Sequence, residues 1–230
     1  MSRTPLSRDR VIEAAVALAD RAGIEPLTIR KLADELGVGP MTIYHHVANK
    51  EDILDGMVDS VFAEIELPPP DKEWTDAMAI RARSAREVLA RHQWAAPLME
   101  SRTDPGPATL GHHDAVLGCL RGAGMSWPLV ATAYAMIDAY IYGFALQEAG
   151  LPFNTPEEAA QIASAMVQHF PADLYPNLAA FTFDHVLAPG YDFASEFDIG
   201  LDLILRGLAE AVVHETVDQI ADEITDEQGG

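Results

Sequence analysis

The sequence predicts an all-α protein built from two helical domains, and three observations carry this prediction. Apolar residues recur at i, i+3 and i+4 in nearly every segment, and no run alternates strictly as a half-buried strand does. Glycines and prolines punctuate the chain between these segments. A triple proline at 68–70 ends one predicted helix and is the best candidate for a domain boundary, which 230 residues are enough to support.

The N-terminal segments carry recognisable helix signals. Ser7, Thr28 and Asn49 are predicted to cap helices at their starts, since short hydroxyl and amide side chains accept from free N–H groups there. Gly37 permits the positive φ of a sharp helix end, and Pro40 suits the first turn of a short helix. We therefore predict a three-helix helix-turn-helix domain over residues 1–50, followed by a linking helix over 49–66.

Residues 67–230 are predicted to form a larger helical domain. The stretch 170–192, rich in aromatics and prolines, is interpreted as a loop or short helices. Segments 127–148 and 195–214 are apolar over much of their circumference and predict a dimer seam. The alternative is that both lie inside the monomer core.

Charge is distributed unevenly along this acidic chain of net charge −21. Residues 1–50 contain seven Lys and Arg against six Asp and Glu, whereas residues 51–230 contain eight against thirty. Most of the molecule would repel a polyanion, so any contact with nucleic acid is confined to the N-terminal end.

Several classes of protein receive no support from the sequence. The single cysteine, Cys119, cannot pair within the chain and is interpreted as an inert core residue of a cytoplasmic protein. No apolar run reaches the ~18 residues that span a bilayer, and no signal peptide is indicated. The motifs HExxH and G-x-S-x-G, the P-loop and the dinucleotide fingerprint are all missing, so the chain is predicted not to be an enzyme.

The stretch "LTIRKLADELGVGPMTIYHHVANKEDIL", residues 27–54, matches the helix-turn-helix arrangement. Its apolar positions form a wedge that sets the crossing angle of two short helices. Thr42, Tyr44, His45 and His46 are left on or near the outer face of the second helix, which fits a major groove.

These residues closely resemble the DNA-binding segment of the TetR family of bacterial transcriptional repressors, over about residues 7–56. The shared pattern is T-x-R-x-[LI]-A-x-x-[LA]-G-V-x-x-x-x-[LI]-Y-x-[HY]-[FV]-x-[NS]-K. The resemblance implies a homodimer on a palindromic operator, in which the C-terminal domain, residues 67–230, dimerises and binds a small-molecule effector. It implies phosphate contacts by Thr28, Tyr44 and Lys50. It implies major-groove contacts by Arg30, Pro40, Thr42, His45 and His46.

The C-terminal domain offers candidates for an effector pocket, although most of them would equally suit a core. They are Trp74, Met78, Trp94, Met99, His112, His113, Tyr134 and Asp138. A carboxylate at Asp138 in an apolar helix must face solvent at a seam, pair across a dimer interface or bind a ligand. Tetracycline-binding members use a histidine with Mg²⁺ near the corresponding loop, and "LMESRTDPG" has none.

The predicted function is a DNA-binding repressor that a small hydrophobic or aromatic effector releases from its operator, with no metal and no cofactor. Two alternatives remain at this stage. One is a metal-dependent enzyme built on His112 and His113, although neighbouring residues of a helix diverge and the pair would equally suit a core edge or a ligand contact. The other is a DNA-binding protein without an effector.

Overall fold

The computed structural model describes residues 5–153, 155–167, 172–188 and 190–229, and within these ranges every regular element is a helix. The all-α prediction is therefore confirmed. The α-helices are α1 (Arg8–Ala22), α2 (Ile29–Leu36), α3 (Pro40–Ile43), α4 (Lys50–Glu64), α5 (Trp74–Arg91), α6 (Ala96–Met99), α7 (Pro107–Gly122), α8 (Trp127–Gly150), α9 (Pro156–Val167), α10 (Pro176–Phe181) and α11 (Glu196–Gly229). Within 170–192 the described residues form the short helix α10, and a π-helical turn (Thr182–Val186) continues it.

The predicted caps form at the starts of α1, α2 and α4. The Ser7 and Thr28 hydroxyls accept from N–H groups three residues on, at 3.3 and 3.2 Å. The Asn49 Oδ1 accepts from the Asp52 N–H at 2.9 Å. Gly37 ends α2 in the left-handed region, with φ of 64°. The turn to α3 favours glycine at this position, because glycine adopts this conformation without a Cβ clash.

A shared apolar core holds the three N-terminal helices together, since helices of this length are not stable alone. Val11, Leu18, Leu32, Ile43 and Val47 are all buried in it. α1 packs on both α2 and α4. The orientation of α3 is thus set by the side chains of its inner face.

α4 packs against α1 on one side and α7 on the other. At its start Asp52 forms an ion pair of 2.8 Å with Arg8 of α1. In its middle the Asp59 Oδ1 accepts from the Thr109 N–H and hydroxyl, at 2.8 and 2.9 Å. A movement of α7 is therefore transmitted to α4 through these contacts. The predicted division into residues 1–50 and 67–230 stays a prediction.

The C-terminal part is a helical bundle in which α8 packs against α5, α7 and α11. α8 is long and apolar enough to cross a membrane, with mean hydropathy of 1.4 over 18 residues, although no such segment was predicted from the sequence. Eight of its residues are buried in the bundle, among them the charged Asp138. This packing identifies α8 as a core helix of the bundle.

Candidate DNA-binding surface and effector site

α3 presents a small polar surface over an apolar base. Ile43 is fully buried, while Pro40, Tyr44 and His45 are exposed, Tyr44 by 47% of its surface. Thr42 and the following His46 are partly exposed. The predicted outward position of these side chains is therefore found, and one turn of helix is free to enter a groove.

Basic residues beside α3 differ in how they are paired. Arg8 and Arg21 are neutralised by Asp52 and Glu35, at 2.8 and 2.6 Å. Among the described residues, by contrast, the exposed Arg30, Lys31 and Lys50 take part in no ion pair. They lie at the start of α2 and at the first residue of α4, where the helix dipole also favours an anion. Within the described residues around α3, these three cations are available to a phosphate backbone.

Two residues of this surface were missed by the sequence reasoning. Lys31 was passed over although it adjoins Arg30. Met41 is 70% exposed at the second position of α3, the largest exposure of any bulky apolar side chain there. Met41 lies between Pro40 and Thr42, which are both predicted DNA contacts, and on that ground it could have been predicted as a contact too.

A buried polar cluster joins α5, α7 and α8. Arg81 of α5 is fully buried, and its Nη1 lies 2.5 Å from the Asp138 Oδ1 of α8. Its Nε and Nη2 lie 3.1 and 2.9 Å from the Nε2 of His112 on α7. We call Arg81, His112 and Asp138 the Arg81 cluster.

The hydrogen bonds of the Arg81 cluster fix the protonation of His112. Because Nε2 accepts from the guanidinium of Arg81, the ring proton lies on Nδ1. Burial, aided by the charge of Arg81, lowers the pKa of His112 to about 3. A neutral imidazole results, and its buried Nδ1–H has no hydrogen-bond partner among the described residues.

Further polar side chains surround the cluster. The Asp138 Oδ2 and the Tyr142 hydroxyl are also buried without a partner in the described part of the chain. Tyr134 shares a hydrogen bond with the Nδ1 of His113, and burial together with the Asp138 carboxylate raises the pKa of the Tyr134 phenol. Phe62 of α4 packs its ring 5.2 Å from both His112 and His113.

A cavity of about 180 Å³ lies between α4 and the α6–α7 segment, and His113, the neighbour of His112, is one of its lining residues. His113, Met99, Glu100 and Thr109 line it from α6, α7 and the segment between them, and Asp55 and Val58 line it from α4. In the same wall the Arg102 Nη1 lies 2.7 Å from the Glu51 carboxylate of α4. A molecule in this cavity would touch both the bundle and the linking helix.

Family models match both parts of the chain. Residues 11–57 match the model of bacterial regulatory proteins of the tetR family, and residues 67–212 match that of the tetracyclin repressor-like C-terminal domain.

The chain belongs to the TetR family.

Relatives in this family align along most of their length. An HTH-type transcriptional regulator of Saccharopolyspora erythraea is 34% identical over 207 residues, covering 89% of this chain and 85% of the relative. The HTH-type transcriptional repressor DrrR1 of Streptomyces coeruleorubidus is 34% identical, covering 88% and 77%. The structure of ActR from Streptomyces coelicolor in complex with actinorhodin is 28% identical, with a TM-score of 0.74, covering 91% and 99%.

As a TetR-family member the chain is a ligand-responsive DNA-binding transcriptional regulator and not an enzyme. The alternative of a metal-dependent enzyme on His112 and His113 is therefore set aside. The geometry gives the physical reason, since the Nε2 of His112 faces a guanidinium and cannot also face a cation. No group of three His, Cys, Asp or Glu side chains in the described ranges could hold a metal ion.

The structure brings together only part of the predicted effector residues. His112, His113, Tyr134 and Asp138 lie in or beside the Arg81 cluster, and Met99 lines the cavity next to it. Asp138 pairs with Arg81 of its own chain, a partner that was not predicted, and its place in an effector pocket stays a prediction. Arg81, Tyr142 and Phe62 were missed.

The remaining predicted effector residues lie elsewhere. Met78 is fully buried in the core. The indole N–H of Trp94 donates to Asp20 of α1 at 2.7 Å, so this residue joins α1 to the end of α5. Trp74 lines a separate cavity beside 68–70 together with Cys119. Cys119 is partly buried and packs against the hydrophobic core, and burial raises the pKa of its thiol.

Proposed function

We propose that this TetR-family regulator is a cytoplasmic homodimeric repressor that binds a palindromic operator and leaves it when a small hydrophobic or aromatic effector binds. The observation that carries the proposal is the surface of α3, exposed between unpaired cations on an otherwise acidic molecule. The effector is not a tetracycline–magnesium complex, and neither metal nor cofactor is required.

DNA contact is assigned by position on this surface. Thr28, Tyr44 and Lys50 contact phosphates, and Lys50 does so from the first turn of α4. The major groove is read by Arg30, Pro40, Thr42, His45 and His46. Two copies of α3, one helical turn of DNA or roughly 34–36 Å apart, enter successive major grooves of a palindrome.

Lys50→Ala tests the DNA contact, with Lys72→Ala as a matched control because Lys72 is also exposed but lies outside the surface. An operator is first selected from a random DNA pool. Lys50→Ala should weaken binding to all sequences alike and reduce the salt slope by roughly 1 per protomer, whereas Thr42→Ala or His45→Ala should change the preferred sequence. A gel shift at moderate salt in which Lys50→Ala has no effect would refute this placement.

Dimerisation through α8 and α11 is supported by their exposed apolar side chains, among them Met136, Leu146, Ile199 and Leu203. We expect a sedimenting species of twice the chain mass of 24.9 kDa. Leu203→Asp should yield monomers, whereas Leu110→Asp, at an exposed leucine of α7, should not. A wild-type monomer at micromolar concentration would contradict the proposal.

Effector control is proposed to act through the cavity between α4 and the α6–α7 segment. ActR, a member with 28% identity, has been solved with actinorhodin, which supports a small-molecule ligand for this chain. A ligand can shift the regulator only by its difference in affinity between two conformations. Here a ligand in the cavity would favour the conformation in which α4 has moved, and the two copies of α3 would then lose their spacing.

A further inference from the structure

We propose that His92, in its doubly protonated form, is a positioning residue that fastens α1 and α4 to the end of α5, and that operator binding weakens when the ring loses one of its two protons. The proposal rests on the proposed function, because operator binding is the activity that this residue regulates. It gives the regulator a second input, pH, through residues that do not line the cavity between α4 and the α6–α7 segment.

His92 lies between carboxylates of two different helices. The residue directly follows α5 and is only 6% exposed. Its Nδ1 lies 2.8 Å from the Oδ1 of Asp20 on α1, and its Nε2 lies 3.1 Å from the Oε1 of Glu64, the last residue of α4. One imidazole ring therefore joins both of these helices to α5.

Only the charged form of the His92 ring satisfies both contacts. An ionised carboxylate has no proton and can only accept, so each ring nitrogen has to donate. The imidazolium carries an N–H on both nitrogens, whereas the neutral imidazole carries one. When a proton is lost, a ring lone pair faces a carboxylate oxygen, and the contact with either α1 or α4 is broken.

The groups around His92 hold the two carboxylates in place. The Nη2 of Arg91 lies 2.7 Å from the Oε2 of Glu64, and the indole N–H of Trp94 donates to the Asp20 Oδ1 at 2.7 Å. Arginine and tryptophan keep these protons around neutral pH, whereas histidine is the side chain that changes its charge there. The two acceptors thus stay in position while the donor between them titrates.

The location of these contacts connects His92 to the DNA-binding surface. Asp20 lies in the last turn of α1 and Glu64 at the end of α4, whereas Lys50 lies at the other end of α4. Because α1 packs on α2 and α4, a shift at these ends turns the N-terminal helices relative to the bundle. Two copies of α3 must keep one helical turn of DNA, roughly 34–36 Å, between them. A looser attachment lowers the fraction of molecules with that spacing, and the apparent operator affinity falls in proportion.

Trp94 is a reporter of the charge on His92, because the two ring centroids lie 6.0 Å apart. The chain has three tryptophans, and Trp74→Phe with Trp127→Phe leaves Trp94 as the sole indole. In this parent the emission of Trp94 should follow a one-proton transition between about pH 5 and 8. His92→Gln should abolish the transition, and Asp20→Asn should move it to lower pH, since a charge that favours the imidazolium is removed. No transition in the parent, or the same transition in His92→Gln, would overturn the proposal.

The operator affinity of the full-length protein is then compared at about pH 6 and about pH 8. The wild type should lose roughly fivefold more affinity on this change than His92→Gln, a value at the lower end of coupling between sites. His45 and His46 beside the DNA lose charge in both proteins alike, so the difference isolates His92. His185→Gln is the matched control, since His185 also faces a carboxylate, that of Glu196 at 3.4 Å, but on the turn after α10. Equal profiles in the wild type and His92→Gln, or a flattened profile in His185→Gln, would contradict the proposal.

A carboxylate variant tests the proposal independently if His92→Gln does not fold. Asp20→Asn keeps an acceptor for the indole of Trp94 and should shift the affinity profile to lower pH. Asp9→Asn, the same change at an exposed position of the same helix, should leave the profile where it is. An unshifted profile in Asp20→Asn, or an equal shift in Asp9→Asn, would refute the role of the contact.

The two measurements separate this proposal from the proposed function. If the emission of Trp94 titrates as expected but no DNA sequence is selected at any pH, the proposed function is wrong and the proton-dependent contact stands. If an operator is bound with the same pH profile in the wild type and in His92→Gln, the proposed function stands and His92 does not position the DNA-binding helices.

Discussion

Removing the carboxylate of Asp138 while keeping Arg81 tests the central contact of the bundle. In Asp138→Leu the guanidinium of Arg81, which has no exposed surface, loses its counter-ion at 2.5 Å. Breaking a buried ion pair from one side costs about 3–5 kcal/mol, because an uncompensated charge is left inside. We expect the free energy of unfolding to fall by that amount.

The double variant Arg81→Met/Asp138→Leu removes both charges and should recover much of this loss. Replacing a buried pair by apolar side chains of similar size is often nearly neutral. His112 then loses both of its donors, which costs about 1–3 kcal/mol for an unpaired buried acceptor. The double variant should thus be more stable than Asp138→Leu, and the two changes should be far from additive.

Urea unfolding followed by circular dichroism measures these differences, at one fixed protein concentration because a dimer's stability depends on it. Asp202→Leu is the control, since Asp202 pairs with Arg206 on the surface and such pairs contribute below about 1 kcal/mol. The reasoning is refuted if Asp138→Leu stays within about 1 kcal/mol of the wild type, or if the double variant is no more stable than Asp138→Leu.

Three further outcomes follow from the structure. His112 has a pKa of about 3 in the folded state, whereas an unfolded histidine titrates near ~6.5. Between these two pKa values the unfolded state therefore binds more protons than the folded state. The free energy of unfolding should fall as the pH drops, by up to ~1.4 kcal/mol per pH unit. His112→Gln should remove that component from urea midpoints measured between pH 6.5 and 4.5. Gly106→Ala should lower the melting temperature, because its methyl group would overlap the Asp59 carboxylate; an unchanged value would contradict the packing of α7 on α4. Met41→Ala should change the operator bases selected from a random pool, most of all at thymines, whose methyl groups favour apolar contacts; an identical selected sequence would exclude Met41 from base reading.

The helices and the DNA-binding surface were predictable because their signals are local. A capping side chain such as Thr28 or Asn49 accepts from an N–H group three residues further on, and the turn at Gly37 depends on the φ angle of that residue alone. The outward position of Tyr44 and His45 follows from the inward position of Ile43 on the same turn. Each of these inferences needed only neighbours along the chain.

The Arg81 cluster was less predictable because its contacts join distant residues. Arg81 and Asp138 are 57 positions apart, and the interpretation of Asp138 looked to solvent, a partner chain or a ligand. One local signal did exist. Arg81 falls on the same helical stripe as the buried Met78, Ala82 and Ala85, unlike the exposed Arg83. A cation at an apolar position requires a buried counter-ion, and this rule applied to α5 would have pointed to Asp138.

The linking helix α4 joins the candidate DNA-binding surface to the cavity between α4 and the α6–α7 segment through a few polar contacts. Its start carries Lys50, and the contacts Glu51–Arg102 and Asp59–Thr109 fasten it beside the cavity. These contacts comprise one ion pair and two hydrogen bonds, and such bonds contribute about 0.5–1.5 kcal/mol each. Coupling between sites in allosteric proteins is of the same order, about 1–3 kcal/mol. We propose that a ligand in the cavity shifts α4 by breaking these contacts, for which it needs a difference in affinity of this order between the two conformations.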